Sequence, residues 1–143
     1  DVEPFLLSST VEVIISQRLI RRICESCRTS IKLSRAQLDK IYGKLAKEYF
    51  KKPSVTLYKG KGCNVCGHTG YHGRSAIYEI IEMTPPLREL ILENPSAQHI
   101  WDEAKKQGAK SLFDDGMQKV KDGITTIDEV MRVASTDFRR NKT

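Results

Sequence analysis

Cys24-Glu25-Ser26-Cys27 and Gly62-Cys63-Asn64-Val65-Cys66-Gly67 contain every cysteine of the chain, in two pairs of identical spacing. A C-x-x-C turn presents two thiolates on one side of a tight knuckle, and two such knuckles supply the tetrahedral sulfur set of a structural zinc site. The pairs stand further apart than in a compact zinc ribbon. One helix with its own caps accounts for the excess, so the knuckles can still meet in space. Gly62 and Gly67 flank the second knuckle, where backbone amides must turn toward sulfur and a side chain would obstruct them. Two disulfides, a redox pair or unrelated buried cysteines are the competing readings. A chain kept in a reducing compartment rarely holds disulfides, and a redox motif has no reason to be duplicated. A closed Cys₄ site leaves no position open for water, so its expected role is to cross-link a loop-rich module. His68, His72 and His99 are then surplus as ligands, and only His68 is near enough in sequence to compete.

Outward from the knuckles, the elements follow from period and punctuation. Val11, Ile14, Ile15, Leu19 and Ile23 recur at helical spacing, with Ser8, Ser9 or Thr10 available as N-cap, which predicts an amphipathic helix from Ser8 to Ile23. Ser34 and Gln37 form a capping box for a helix carrying Leu38, Ile41, Tyr42, Leu45 and Tyr49 on one face. Val55 to Tyr58 reads as a strand leading into glycine-rich loops, and Arg74 to Met83 as a largely buried strand. Thr84-Pro85-Pro86 ends that strand and opens the first of four short helices, the others being capped by Ser96, Ser111 and Thr126. These four are expected to form a small helical subdomain, with Trp101, Ile100, Ala104 and Leu112 in its core. Phe138 to Thr143 is expected to fray.

At 143 residues and 39% hydrophobic, the chain has room for one domain or two small ones. The formal charge of +6 is spread along the sequence, and part of it would offset a zinc tetrathiolate, itself a dianion. Basicity therefore argues little for nucleic acid. No stretch approaches the roughly 20 apolar residues a membrane helix requires, and no signal pattern opens the chain, so a cytosolic location is expected. The chain starts at Asp1 and runs directly into Glu3-Pro4-Phe5-Leu6-Leu7, as a piece cut from a longer protein would.

Three strings carry a resemblance. Gln17-Arg18-Leu19-Ile20-Arg21-Arg22-Ile23-Cys24 is followed by Tyr58-Lys59-Gly60-Lys61-Gly62-Cys63 and then by Gly70-Tyr71-His72-Gly73-Arg74-Ser75-Ala76-Ile77-Tyr78-Glu79. In order and spacing they closely resemble the type II secretion and type IV pilus assembly ATPase family. Asp115-Gly116-Met117, Lys119-Val120 and Gly123-Ile124-Thr125-Thr126 before Glu129-Val130 fit the helical C-terminal region of that family, and the likeness runs from Glu3 to about Ser135. It departs at Glu25, where members of the family often carry proline, and this leaves the ligands untouched.

The resemblance implies an α+β fold: the edge of a RecA-like α/β domain as a helix and a returning strand, a tetracysteine zinc insert, and a C-terminal helical bundle. The implied boundaries are 1–23, 24–73, 74–83 and 84–143. It also implies a homo-hexameric, ATP- and Mg²⁺-using parent that acts with inner-membrane platform proteins, cytoplasmic and peripheral to that membrane, with acidic lipids as a further candidate partner. Arg74 is the residue it places nearest the nucleotide, stacked on the base or reaching the adjoining subunit; a structural pairing with Glu79 or Glu82 is the alternative. The phosphate loop G-x-x-x-x-G-K-[ST], its magnesium carboxylate and a histidine box are all missing from these residues, so no catalytic residue is assigned and this chain alone is expected not to hydrolyse ATP. The competing functions are a nucleic-acid-binding zinc ribbon, using Lys59, Lys61 and Arg74 beside Tyr58, Tyr71 and His72, and a protein-interaction scaffold.

Overall fold

The computed structural model describes residues 2–140, with side chains to Ala134. The succession is α1 (Pro4–Thr10), β1 (Val13–Ile23), β2 (Arg28–Ser34), α2 (Arg35–Tyr42), α3 (Lys44–Tyr49), β3 (Ser54–Gly60), β4 (Tyr71–Glu82), α4 (Pro85–Leu92), α5 (Ala97–Lys106), α6 (Leu112–Lys121) and α7 (Ile127–Arg140). The architecture is α+β with two antiparallel ribbons, β1 with β4 and β2 with β3. Of the tail expected to fray, α7 takes up the backbone as far as Arg140, and 141–143 lie outside the described residues.

The helix expected from Ser8 to Ile23 is corrected here. Only Pro4 to Thr10 is helical, with proline in its first turn, and Val13 onward is extended. β1 pairs with β4 from Val13↔Glu82 to Arg21↔Arg74, with a bulge before Ile23↔Tyr71. Isoleucines at positions 14, 15, 20 and 23 suit a pleated surface better than a helix, and the distant partner β4 decides between the two. The helix-plus-strand edge expected of a RecA-like domain is thus a pair of strands preceded by a short helix.

β2 is an element beyond those expected. Thr29, Ile31 and Leu33 turn inward at alternate positions and oppose Lys59, Leu57 and Val55 of β3. The Ser34–Gln37 capping box forms as expected, with Gln37 N–H donating to Ser34 Oγ and Ser34 N–H to Gln37 Oε1. Its helix stops at Gly43, whose φ of +54° a side chain would strain, and α3 resumes at once.

The four C-terminal helices form two pairs on two cores rather than one bundle. α6 and α7 supply Leu112, Phe113, Met117, Val120, Ile127, Val130 and Ala134 to the larger core, which also holds Ile20, Leu38, Leu45, Phe50, Leu57 and Ile77. α4 and α5 pack Leu87, Ile91, Trp101 and Ala104 with Ile81 and Met83 in a smaller one. Trp101 and Ala104 are buried as expected, whereas Leu112 joins the other core. Gly116 makes the α6–α7 approach possible, since a Cβ there would sit 2.7 Å from Val130 Cγ1. β4 is less buried than expected: Ile77 and Ile81 are covered while Tyr78 and Ile80 stand exposed.

Candidate metal centre

Each knuckle is a single 3₁₀ turn, Glu25–Cys27 between β1 and β2 and Asn64–Cys66 between β3 and β4. The two ribbons therefore end at one place, and the knuckles are the joint between them. Lys61 N–H donates to Cys27 O at 3.0 Å and Cys24 N–H to Gly70 O at 3.0 Å, lacing one knuckle to the other. Gly60 and Gly70 pass so closely that a Cβ on Gly60 would fall 2.0 Å from Gly70 O.

The four sulfurs converge as the spacing predicted. Sγ of Cys24 lies 3.9 Å from that of Cys63, Cys27 lies 3.9 Å from Cys66, and Cys63 lies 3.8 Å from Cys66. All four fall within 4.8 Å of one another. A disulfide would need about 2.05 Å, and every cysteine is free. A tetrahedral metal about 2.3 Å from each sulfur puts the sulfurs roughly 3.8 Å apart, so this donor set matches zinc in both chemistry and size. Cys24 is 1% and Cys66 8% exposed. His68, His72 and His99 are exposed, and no histidine joins the cluster among the described residues.

The backbone prepares the thiols. Burial pushes the Cys66 thiol up, but the N–H groups of Cys63 and Gly70, at 3.2 and 3.3 Å from Sγ, outweigh it and bring the group down to about 6. Burial raises Cys27 to about 11, even though Gly62 N–H points at it. Crowding four thiols without a cation makes them share protons, a cost that a divalent ion removes.

A second polar cluster ties the joint to α7. The Glu129 side chain is fully covered; it accepts from Arg21 N at 3.0 Å, from Arg21 Nη2 at 2.7 Å and from Arg132 Nη2 at 2.6 Å. Burial would raise its carboxyl, but Arg132 and Arg21 hold it at about 2. Thr125 Oγ1 donates to Arg21 O and Ile23 N–H to Ile124 O, closing the outer edge of β1 there. The Arg21 guanidinium also lies 4.2 Å over the Tyr71 ring, whose hydroxyl meets Thr126 Oγ1 at 2.7 Å. Thr126 accepts from Glu129 N–H as a cap should, while the Glu129 carboxylate goes to the two arginines rather than back to the backbone of Thr126. No spacing rule could have found a pair so far apart in sequence.

Arg74 is exposed in β4 directly opposite Arg21. Glu79 and Glu82 lie on the same strand as Arg74, five and eight residues further on, so at about 3.3 Å per residue their Cα atoms stand roughly 16 Å or more from its own.

An antiparallel α+β chain that gathers four thiols at the joint of two β-ribbons is a protein with a tetracysteine module able to hold a metal ion. Its sequence matches the family of type II/IV secretion system proteins over residues 1–132, and the chain belongs to that family. It is 43% identical over 136 residues to the putative type II secretion system protein E of Escherichia coli, covering 94% of this chain and 26% of that protein. It is 39% identical over 130 residues to the type IV pilus assembly ATPase PilB of Thermus thermophilus, covering 91% of this chain and 14% of PilB. To the type II secretion system ATPase E of Vibrio cholerae it is 36% identical over 132 residues, 92% of this chain and 25% of that protein. The chain thus spans between about a seventh and a quarter of these relatives.

Proposed function

We propose that this chain is the C-terminal part of a hexameric ATPase motor that powers type II secretion or type IV pilus assembly, and that Cys24, Cys27, Cys63 and Cys66 hold one structural zinc in it. The convergence of four free thiols at tetrahedral spacing carries the zinc assignment. Relatives named as secretion or pilus ATPases, matched over more than nine-tenths of the chain, carry the motor. Bound there, zinc would supply a cross-link and no chemistry, because four thiolates fill its coordination shell. The protein's own work is to fix the angle between the two ribbons through the knuckle amides and the glycine approach described above.

The domain division at 1–23, 24–73, 74–83 and 84–143 belongs to the same proposal. The chain leaves β1 at Ile23, builds the cysteine module and returns at Tyr71 into the strand paired with β1, as an insert at a hairpin tip does. One face of the β1–β4 ribbon carries Val13, Ile15, Leu19, Tyr78 and Ile80, each between 41% and 58% exposed. An apolar sheet face of that kind suits packing against the remainder of a RecA-like domain. Arg74 is proposed to meet the nucleotide or the adjoining subunit in the assembled parent: it is exposed opposite Arg21, and whereas Arg21 is paired with Glu129, no carboxylate pairs with Arg74 among the described residues. Cytoplasmic placement against the inner membrane, with platform proteins and acidic lipids as partners, follows from the same proposal; no helix among the described residues is long and apolar enough to cross a membrane.

Elemental analysis and X-ray absorption test the metal. One zinc per chain with sulfur neighbours at about 2.3 Å is expected, and a folded, metal-free protein with four titratable thiols would refute it. For the motor, this chain alone is expected to match the blank in ATP hydrolysis, since positioning and charge stabilisation of the phosphoryl group need a loop, lysine and magnesium site it lacks. In a full-length parent, Arg74→Ala is expected to weaken ATP binding or turnover while zinc content and Tm stay unchanged. Loss of stability with intact nucleotide affinity would instead make Arg74 structural.

A further inference from the structure

The outer edge of β3 forms one wall of a groove. Its ladder with β2 fixes which groups face outward: Arg35 N–H donates to Pro53 O at 2.9 Å beyond the Ser34↔Ser54 pair, and Lys61 N–H donates to Cys27 O beyond Arg28↔Gly60. Ser34↔Ser54 and its even-numbered successors are therefore non-hydrogen-bonded pairs. The N–H and C=O groups of Ser54 and Thr56 consequently point away from β2. No backbone or side-chain partner meets them among the described residues. The opposite wall is the end of α3 with the loop after it, Tyr49 to Lys52, and Lys121 at the end of α6 closes one side. The space between is about 650 Å³, a volume within the roughly 300–1,000 Å³ of ligand clefts.

Charge in this groove is one-sided. Lys51, Lys52 and Lys121 are exposed, and no carboxylate pairs with them among the described residues. Glu48 is the one acidic residue on the lining. Lys121 Nζ sits 5.9 Å from the Tyr49 ring, which keeps it at the rim of the groove.

We propose that this groove is a docking site for an extended acidic segment of a partner protein, which adds as a strand to the free edge of β3 and sets its carboxylates against Lys51, Lys52 and Lys121. The two observations select the same occupant. An open strand edge asks for alternating donors and acceptors along an extended backbone, and the lysines around it ask for negative charge. A lipid headgroup or a free phosphate satisfies the lysines but leaves the backbone edge unmet. The rival role for the lysines is protective, because edge strands are commonly guarded against unwanted pairing by charge. This inference uses only the β2–β3 ladder and its surroundings and stands apart from the motor reading.

A random eight-residue peptide library panned on this chain, and in parallel on the double variant Lys51→Glu/Lys52→Glu, tests it. Sequences with Asp or Glu at alternate positions are expected to be enriched on the chain and lost on the variant, with affinity for the best peptide falling about tenfold. The amide signals of Ser54 and Thr56 in a ¹⁵N-labelled chain should shift and gain exchange protection on binding. The same peptide with alternate amides N-methylated keeps its charge but cannot pair as a strand, and should fail. Three results would overturn the proposal: no acidic enrichment, equal binding of the N-methylated peptide, or binding of vesicles containing phosphatidylglycerol that the peptide does not displace. The first leaves the lysines as edge guards, the second reduces the site to a charge patch, and the third makes it a lipid contact.

Discussion

The β1–β4 and β2–β3 ribbons have the same antiparallel pairing and meet at the same four sulfurs, yet they are finished in opposite ways. β2–β3 lays Leu33, Val55 and Leu57 against the larger core, and lysines gather at its outer edge. β1–β4 buries Ile20, Ile77 and Ile81 on one face and leaves Val13, Ile15, Leu19, Tyr78 and Ile80 open on the other. Its β1 edge is closed near the joint, where Glu129, Thr125 and Ile124 take the backbone groups of Arg21 and Ile23, and its β4 edge is met at Tyr78, whose N–H donates to Asp115 Oδ2. A ribbon covered on one side and apolar on the other is unfinished by itself. The difference teaches that the cysteine module is completed within this chain, while the ribbon it grows from has a face still to be covered.

The strongest way to break that comparison is to remove the joint. Cys24→Ser should abolish zinc binding and leave the segment between the knuckles without its cross-link, because metal affinity there is folding free energy of about 10 kcal/mol or more. Hydrogen exchange should show β2, β3, α2 and α3 losing protection while α4 and α5, on the smaller core, keep theirs. Equal loss at α4 and α5 would make the two regions one cooperative unit.

Core truncations come next. Phe113 is fully buried, its ring 5.6 Å from that of Tyr49, and Leu87 is fully buried in the other core. Phe113→Ala should cost about 3–5 kcal/mol and Leu87→Ala about 2–5 kcal/mol. The sharper readout is location: chelating zinc should mask much of the Phe113→Ala effect and leave that of Leu87→Ala intact, which denaturant melts with and without chelator would record.

Glu129 links the joint to α7, and its contribution depends on pH. Its folded carboxyl is held at about 2, below its unfolded value of about 4.3, so the stabilisation is present above the unfolded value and is lost as pH falls through the folded one. Stability should therefore decline from about pH 4.5 to pH 2 in the unsubstituted chain, and Glu129→Gln should flatten that decline. At neutral pH the substitution should cost about 1–3 kcal/mol, less than a wholly buried pair because Arg21 and Arg132 are 46% and 58% exposed. An unchanged acid limb in urea melts would assign it to other carboxylates.

The smallest effect is expected on the open face. Ile80→Ser should change the stability of this chain by no more than about 0.5 kcal/mol in urea melts. A loss above that range would mean the face is already packed against something within this chain.

The capping signals of Ser34, Ser96 and Ser111 are legible because a cap acts over three residues, so sequence contains all of it. β1 reads as a helix because Val11, Ile14, Ile15, Leu19 and Ile23 happen to match a helical period. A strand that is apolar on both faces lacks the alternation that would distinguish it. β2 does carry that alternation at Thr29, Ile31 and Leu33, but the run is short and the capping box that follows it is the louder signal. The grouping of four helices as one bundle fails because succession along the chain says nothing about which core each pair covers.

The sequence by itself determined the candidate metal site, a cluster of four cysteines. Two C-x-x-C turns leave little freedom in how four sulfurs can meet, and the chemistry of thiolate selects the ion. Tertiary structure alone decided that β1 is a strand, that Glu129 lies between Arg21 and Arg132, and that the free edge of β3 faces Lys51, Lys52 and Lys121. Each of these rests on at least one contact between residues far apart along the chain, β1 with β4, Arg21 with Glu129 and Lys121 with the β3 edge, and its energy exists only after the chain has closed the loop that brings them together.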